Sequence, residues 1–272
     1  MPEGPEVKII SNYLNRTLNK LSILSVKAVS DPYKEKYKDT IEEINKYLPT
    51  QYHNSFCICK QTFIQLKNGI FFSYHLGMTG FWSKKKEKHA HLCLKMNNNL
   101  NIYFHDTRRF GNIKILKSNN IKEKYHFNRD LLNHEKLNEH LLFLTSSIKS
   151  NLEICKLLLN QTYFPGVGNY LKSEILYACK IHPHTKWETL TNKKIKELCV
   201  TTKNIMTYCY EKGGAQLRDF KNPQNSSELK LKIYGRSKTK NGNIVTSLIT
   251  KDNRRTFICL KTQKKIIKTY DI

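Results

Sequence analysis

The chain begins Met1-Pro2-Glu3-Gly4-Pro5-Glu6-Val7, and these residue types at this spacing can do chemistry. Removal of Met1, which a small following residue permits, leaves Pro2 as a free secondary amine with carboxylates one and four residues on. An α-amino group titrates at about pH 8, so a useful fraction is unprotonated at neutral pH and can attack an electrophilic carbon. Such an amine can form an iminium ion, a good electron sink. The same residues also fit a purely structural use. Pro5 suits the first position of a helix, and Glu6 the positive end of its dipole.

Three further segments carry candidate chemistry. Asn160-Gln161-Thr162-Tyr163-Phe164-Pro165-Gly166-Val167-Gly168-Asn169-Tyr170 lies between two helical runs. A Gly-x-Gly-Asn turn that opens a helix offers backbone N–H groups and the positive dipole end to a phosphate, or else merely allows tight packing. His75 to Gly80 and His105 to Gly111 each close a β-like run with a Gly-bounded loop. Met78 and Phe110 on those loops, with Arg108 beside Phe110, could wedge a base stack open, or could be buried under their own loops.

Elements that position these residues follow from periodicity. Val7, Ile10, Leu14 and Leu18 recur at helical steps, predicting an amphipathic helix from Pro5 to Leu18 behind the amine. Short β-like runs follow at Ser22 to Val29, Phe56 to Leu66, Gly69 to Leu76, His91 to Met96, Leu100 to His105 and Asn112 to Leu116, predicting a two-layer sandwich over residues 1–117. Residues 118–145 read as a polar connection and 146–228 as a helical domain, with runs at Leu152 to Leu159 and Tyr170 to Cys179. Residues 229–272 read as strands, with Asn241-Gly242 as a turn between Lys232-Ile233 and Ile244-Val245, and a second run from Thr256 to Leu260. The fold class is α+β.

Forty-seven Lys and Arg against 22 Asp and Glu give a net charge of +25, which predicts a polyanionic partner, most simply nucleic acid. No run approaches the ~18 apolar residues of a membrane span, and the N-terminus is acidic rather than a basic leader, so a soluble intracellular protein is expected. The eight cysteines form no C-x-x-C pair and read as free thiols, with Cys57 and Cys59 sharing a strand face.

Taken together these segments resemble the DNA glycosylases typified by formamidopyrimidine-DNA glycosylase and endonuclease VIII. The resemblance runs through the N-terminal heptad, Cys59-Lys60, His75 to Gly80, Asp106 to Gly111, Pro165 to Asn169 with Glu174-Ile175-Leu176 and His182-Pro183, and Tyr234-Gly235-Arg236. It implies an N-terminal helix and β-sandwich, a helical domain with a helix-two-turn-helix, and a C-terminal β-hairpin finger. It implies a catalytic set of Pro2, the nucleophile toward C1′ of a damaged nucleotide, Glu3, the acid/base, Glu6, which orients the amine, and Lys60. Lys60, His75, Asn169 and Arg254 match groups that hold the flanking phosphates, joined by Gln161 and Gly168 of the turn. Met78, Arg108 and Phe110 match the trio that fills the void left by a flipped nucleotide. Damaged DNA is the implied partner, bound in a cleft by a monomer without a cofactor. Glycosylase and lyase activities follow from one amine.

Two departures matter. Family members with a zinc finger place two C-x-x-C pairs in the C-terminal hairpin, whereas here only Cys259 remains, with Thr262 at its partner's position. One thiolate cannot build a tetrahedral zinc site, so a metal-free finger with Arg254 aimed at DNA is expected, or Arg255 if the register is one residue off. The chain after Gly213-Gly214-Ala215-Gln216-Leu217-Arg218-Asp219-Phe220 is short and polar for the loop that covers 8-oxoguanine in the formamidopyrimidine branch. This points toward the endonuclease VIII-like branch, with oxidised pyrimidines and ring-opened purines as substrates. The alternatives are 8-oxoguanine-type specificity or a non-catalytic nucleic-acid-binding protein, for which Pro2-Glu3 would be useless.

Overall fold

The computed structural model describes residues 1–117, 120–125, 127–133, 136–148, 151–216, 220, 222, 223 and 227–266. Leu217, Arg218 and Asp219, in the stretch that resembles the family's segment beside the 8-oxoguanine-covering loop, lie outside them. The chain forms two compact units, Met1–Lys124 with Gly213–Glu228, and Tyr125–Lys212 with Leu229–Ile272. These boundaries differ from the linear division the sequence suggests. Residues 125–145 and the C-terminal hairpin join the helical unit, while 213–228 returns to the N-terminal one.

In the first unit, helix α1 (Gly4–Leu18) starts with Pro5 near its N-terminus and buries Val7, Ile10, Leu14 and Leu18. Eight strands follow: β1 (Ser22–Ala28), β2 (Thr50–Ile58), β3 (Gln61–Leu66), β4 (Phe71–His75), β5 (Phe81–Ser83), β6 (Ala90–Met96), β7 (Asn101–His105) and β8 (Asn112–Leu116). They form one sheet ordered β5-β7-β6-β1-β2-β3-β4-β8, whose pairings are all antiparallel. Its halves join at a short β1–β2 seam, Ser22 opposite Gln51 and Ile23 opposite Thr50. The halves face each other across an aromatic core, where Tyr74 of β4 packs 5.3 Å from Trp82 of β5 and 6.3 Å from Phe104 of β7. The sandwich is therefore a single sheet folded upon itself.

The run expected at Phe56 to Leu66 is two strands. Ile58 pairs with Gln61 across a Cys59-Lys60 turn, with Cys59 at φ 61°. Cys59 thus leaves the strand and shares no face with Cys57. Two short helices unanticipated from periodicity, α2 (Asp31–Lys36) and α3 (Lys38–Asn45), cover β1 with Tyr33, Ile41 and Ile44.

The second unit contains α5 (Leu137–Ser147), α6 (Ile154–Leu159), α7 (Asn169–Ala178) and α8 (Asn192–Glu211), with the one-turn helix α4 (Ile121–Lys124) closing the first unit before it. Its hairpin is β9 (Thr246–Ile249) with β10 (Arg255–Ile258), Ile249 opposite Arg255. The hairpin thus closes at residues 250–254. Asn241-Gly242 makes a turn flanked only by the isolated bridge Lys238–Ile244, because Lys232 and Ile233 are held elsewhere, by Glu174. No helix among the described residues is long and apolar enough to cross a membrane.

Candidate functional site

In the first unit the N-terminal residues stand on a fixed support. Asn15 of α1 donates to the Ser55 carbonyl (2.7 Å) and accepts from Tyr52 Oη (2.7 Å) and the Ser55 N–H (2.6 Å), bolting α1 to β2. At the start of α1, Pro2, Glu3 and Glu6 are buried. Glu6 Oε2 accepts the Glu3 N–H at 2.8 Å, part of a capping box that satisfies donors at the helix start. Glu6 Oε1 accepts the Ala215 N–H, also at 2.8 Å. One buried carboxylate therefore joins the chain around Glu3 to the Gly213-Gly214-Ala215 segment. Gly214 adopts φ +78°, and a Cβ there would lie 3.1 Å from Glu6 Oε1, so glycine permits this close approach.

Lys60 sits in the β2–β3 turn and His75 at the end of β4, brought together because Gln61 pairs with His75. Burial, then the neighbouring Lys60 ammonium, holds the His75 imidazole below its ordinary pKa against the pull of Asp106. Its Nδ1 accepts the Gly77 N–H at 2.9 Å, so the neutral ring carries its proton on Nε2, a donor for an anionic oxygen.

The loops carrying Met78 and Arg108-Phe110 are tied to each other. Asp106, fully buried, accepts from Thr79 Oγ1 (2.5 Å) and the Arg108 N–H (3.3 Å) on Oδ1, and from the Gly111 N–H (2.6 Å) on Oδ2. Thr79 Oγ1 also accepts the Arg108 N–H at 3.0 Å. A Cβ on Gly77 would lie 2.7 Å from the Gly111 nitrogen, so the backbones touch directly. Phe110 is 57% exposed, with the Arg108 guanidinium 5.2 Å from its ring centroid, while Met78 is half-buried. The possibility that Phe110 is buried under its loop is thereby removed.

In the second unit, Gly168 caps α7 and Asn169 opens it. Asn169 Nδ2 donates to the Arg255 carbonyl at 2.9 Å, which gathers the turn and the Arg254-Arg255 end of the hairpin, while Asn169 Oδ1 is buried without a partner. Both arginines are exposed. Gln161 differs from expectation. Its Nε2 donates to the Leu159 and Val167 carbonyls and its Oε1 accepts the Gly166 N–H, so its amide is spent shaping the turn.

Sequence reasoning assigned no role to Asp106, the Asn15–Ser55 clasp or Glu174. Glu174 accepts the N–H groups of Lys232, Ile233 and Tyr234, each at 2.9 Å, and so fixes the segment leading to the hairpin. A carboxylate two residues into a loop that ends in glycine was the available signal for Asp106.

Cys259 is fully buried. Its N–H donates to Gln263 Oε1 at 2.9 Å, and it packs with Ile233 and Val245 as a small apolar residue. Among the described residues one group has metal-ligand chemistry, Glu153, Cys155 and His184, with ligand atoms within 4.8 Å of one another. Its carboxylate is engaged already, Oε1 with Lys251 Nζ (2.9 Å) and Oε2 with His184 Nδ1 (2.6 Å).

A basic chain with a buried Pro-Glu start, two loops tied together through Asp106 with Phe110 exposed, and a helix-opening glycine turn has the features of an enzyme that works on DNA. Residues 1–113 match the formamidopyrimidine-DNA glycosylase N-terminal domain, and residues 132–221 match the helix-two-turn-helix domain of the same enzymes. The formamidopyrimidine-DNA glycosylase of Rickettsia canadensis is 30% identical over 97% of this chain and 99% of its own length, and that of Rickettsia bellii is 31% identical over 97% and 100%. A Lactococcus lactis Fpg mutant complexed with Fapy-dG-containing DNA has the same fold, with a TM-score of 0.83 at 24% identity, covering 97% of this chain and 100% of that one. The chain belongs to the formamidopyrimidine-DNA glycosylase family. It is a DNA glycosylase of base excision repair, and lyase activity at abasic sites is characteristic of its family.

Proposed function

We infer that this glycosylase removes oxidised bases from DNA through an imine on Pro2 and then cleaves the strand. The observation that carries the reading is the burial of Pro2 and Glu3 at the start of a helix bolted to the sheet. Once Met1 is removed, burial and the positive helix end both favour the unprotonated amine. Pro2 nitrogen attacks C1′ and the bond to the damaged base breaks, with Glu3 supplying and receiving protons. The resulting iminium acidifies C2′; loss of a C2′ proton expels the 3′ phosphate, and a second elimination expels the 5′ phosphate. Lys60 and His75 hold phosphates on the first unit, Asn169, Gly168 and Arg254 on the second. Met78, Arg108 and Phe110 occupy the space the extruded nucleotide leaves.

Ring-opened purines and oxidised pyrimidines are the substrates, in keeping with a hairpin region whose one cysteine is Cys259. The solved Lactococcus lactis Fpg complexes include one with Fapy-dG and one with an oxidised pyrimidine in the DNA, so one such fold accepts both classes. A lesion panel with Glu3→Gln as control tests the reading. The parent chain should excise both classes, with oxidised pyrimidines ahead of 8-oxoguanine. Glu3→Gln should bind the same duplexes and excise nothing. Loss of binding in Glu3→Gln would make Glu3 structural, and preference for 8-oxoguanine would overturn the substrate assignment.

A further inference from the structure

The turn of the C-terminal hairpin carries two neighbouring residues of opposite charge, Lys251 and Asp252, and each meets its opposite on the helical body of the same unit. Lys251 Nζ lies 2.9 Å from Glu153 Oε1, just before α6. Asp252 Oδ2 lies 2.5 Å from Lys172 Nζ, on α7. The two pairs are unequal. The Lys251 side chain is 67% exposed, so its pair is weak. The Lys172 side chain is wholly buried and that of Asp252 is 6% exposed, so neither charge can turn to bulk water and each depends on the other.

The buried pair leads directly to Arg254. Asp252 Oδ1, the oxygen not held by Lys172, accepts the Arg254 N–H at 2.9 Å and lies 2.6 Å from Thr250 Oγ1. Thr250 Oγ1 is also 2.8 Å from Thr256 Oγ1, and Lys172 Nζ is 3.5 Å from it. The turn is closed by Asn253 N–H to the Thr250 carbonyl at 2.8 Å, with Asn253 at φ 58°. One lysine thus fixes a carboxylate, which fixes the backbone nitrogen from which Arg254 projects.

We propose that Lys172 is a positioning residue for Arg254, holding the hairpin turn by charge where zinc-bearing relatives hold theirs by metal. It cannot itself touch a phosphate, because its side chain is buried beneath the turn. The consequence for DNA rests on the reading of Arg254 as a phosphate contact given above.

The test uses the full chain and a duplex bearing a stable abasic-site analogue, with affinity measured across a salt series. Arg254→Ala should lose about tenfold in affinity and reduce the slope of log K against log salt by about one contact. Lys172→Met should do the same although its own charge is out of reach, and adding Arg254→Ala to it should cost nothing more. Wild-type affinity and slope in Lys172→Met, or losses that multiply in the double variant, would overturn the proposal. Amide hydrogen exchange of the free protein separates the two layers. Lys172→Met should speed exchange at residues 250–254 and leave α1 unchanged, and unchanged exchange at the turn sinks the positioning role whatever Arg254 does. If Arg254→Ala alone alters neither affinity nor slope, the DNA reading of Arg254 fails and the exchange result alone decides the clamp. Should Lys172→Met fail to fold, Asp252→Asn, which keeps the Oδ1 acceptor, takes its place in every arm.

Discussion

Asp106→Asn removes one charge and one acceptor from the point where the Met78 and Arg108-Phe110 loops meet. The carboxylate takes Thr79 Oγ1 and the Arg108 N–H on one oxygen and the Gly111 N–H on the other, with no exposure to water. An asparagine offers one oxygen. Turned toward Gly111, it leaves the Thr79 hydroxyl without its acceptor and sets an NH2 against the Arg108 N–H; turned the other way, it sets the NH2 against the Gly111 N–H. Hydrogen bonds to a charged acceptor contribute about 1.5–3 kcal/mol each, and those that survive become neutral, so the change costs about 3 kcal/mol. For a unit of this size that is roughly a 10 °C fall in the melting temperature of the N-terminal unit. Thermal unfolding followed by circular dichroism measures it. Affinity for the abasic-analogue duplex should fall in parallel, because Arg108 and Phe110 would leave the loop at a different angle. A melting temperature within about 2 °C of the parent, which corresponds to the ~0.5 kcal/mol of an inconsequential change, would show that Asp106 does not hold the loops.

Glu6→Gln leaves one of two buried N–H groups, of Glu3 or Ala215, facing an amide nitrogen, and should lower stability by about 2 kcal/mol in urea unfolding. Its excision rate should fall while the pH–rate profile keeps its shape, since the Glu6 carboxylate serves as a main-chain acceptor; loss of one limb of the profile would make it an acid or base. His140 is buried with both ring nitrogens unpartnered, and burial and then Arg129 push its pKa down to about 4. Neutral in the fold, it lets the unfolded chain take up a proton first as pH falls from 6.5 toward 4, so the fold loses about 3 kcal/mol over that window. His140→Phe should flatten that part of the stability profile, and an unchanged slope between pH 6.5 and 4 would count against it.

The long apolar periods were legible in the chain. The α1 stripe appears where the pattern puts it because burial decides it, and β8 occupies the Asn112 to Leu116 run. The β2–β3 turn was hidden because it uses Cys59 in the left-handed region instead of a glycine or asparagine. Asn241-Gly242 was misleading for the opposite reason, a strong turn signal whose flanks find no sheet partner beyond one bridge. Helices α2 and α3 bury only three apolar side chains between them, too few for a period, although Ser30-Asp31-Pro32 is a helix-start signature. Among the candidate site residues, Pro2 and Phe110 stood out by type at the terminus and in a loop, and His75 by its place at the end of β4. Lys172 gave no sign, because a lysine reads as solvent-facing until a carboxylate eighty residues away is folded against it.

Pro2 as nucleophile is the claim on which the chemistry depends. Borohydride, added while the protein processes a duplex containing an oxidised pyrimidine, reduces an imine to a stable amine linkage, and mass spectrometry of the digested adduct locates the attachment. The expected product is a cross-linked N-terminal peptide beginning at Pro2. A fully Met-trimmed protein that gives no adduct with oxidised pyrimidines or ring-opened purines, or one attached through a lysine such as Lys60, would contradict it.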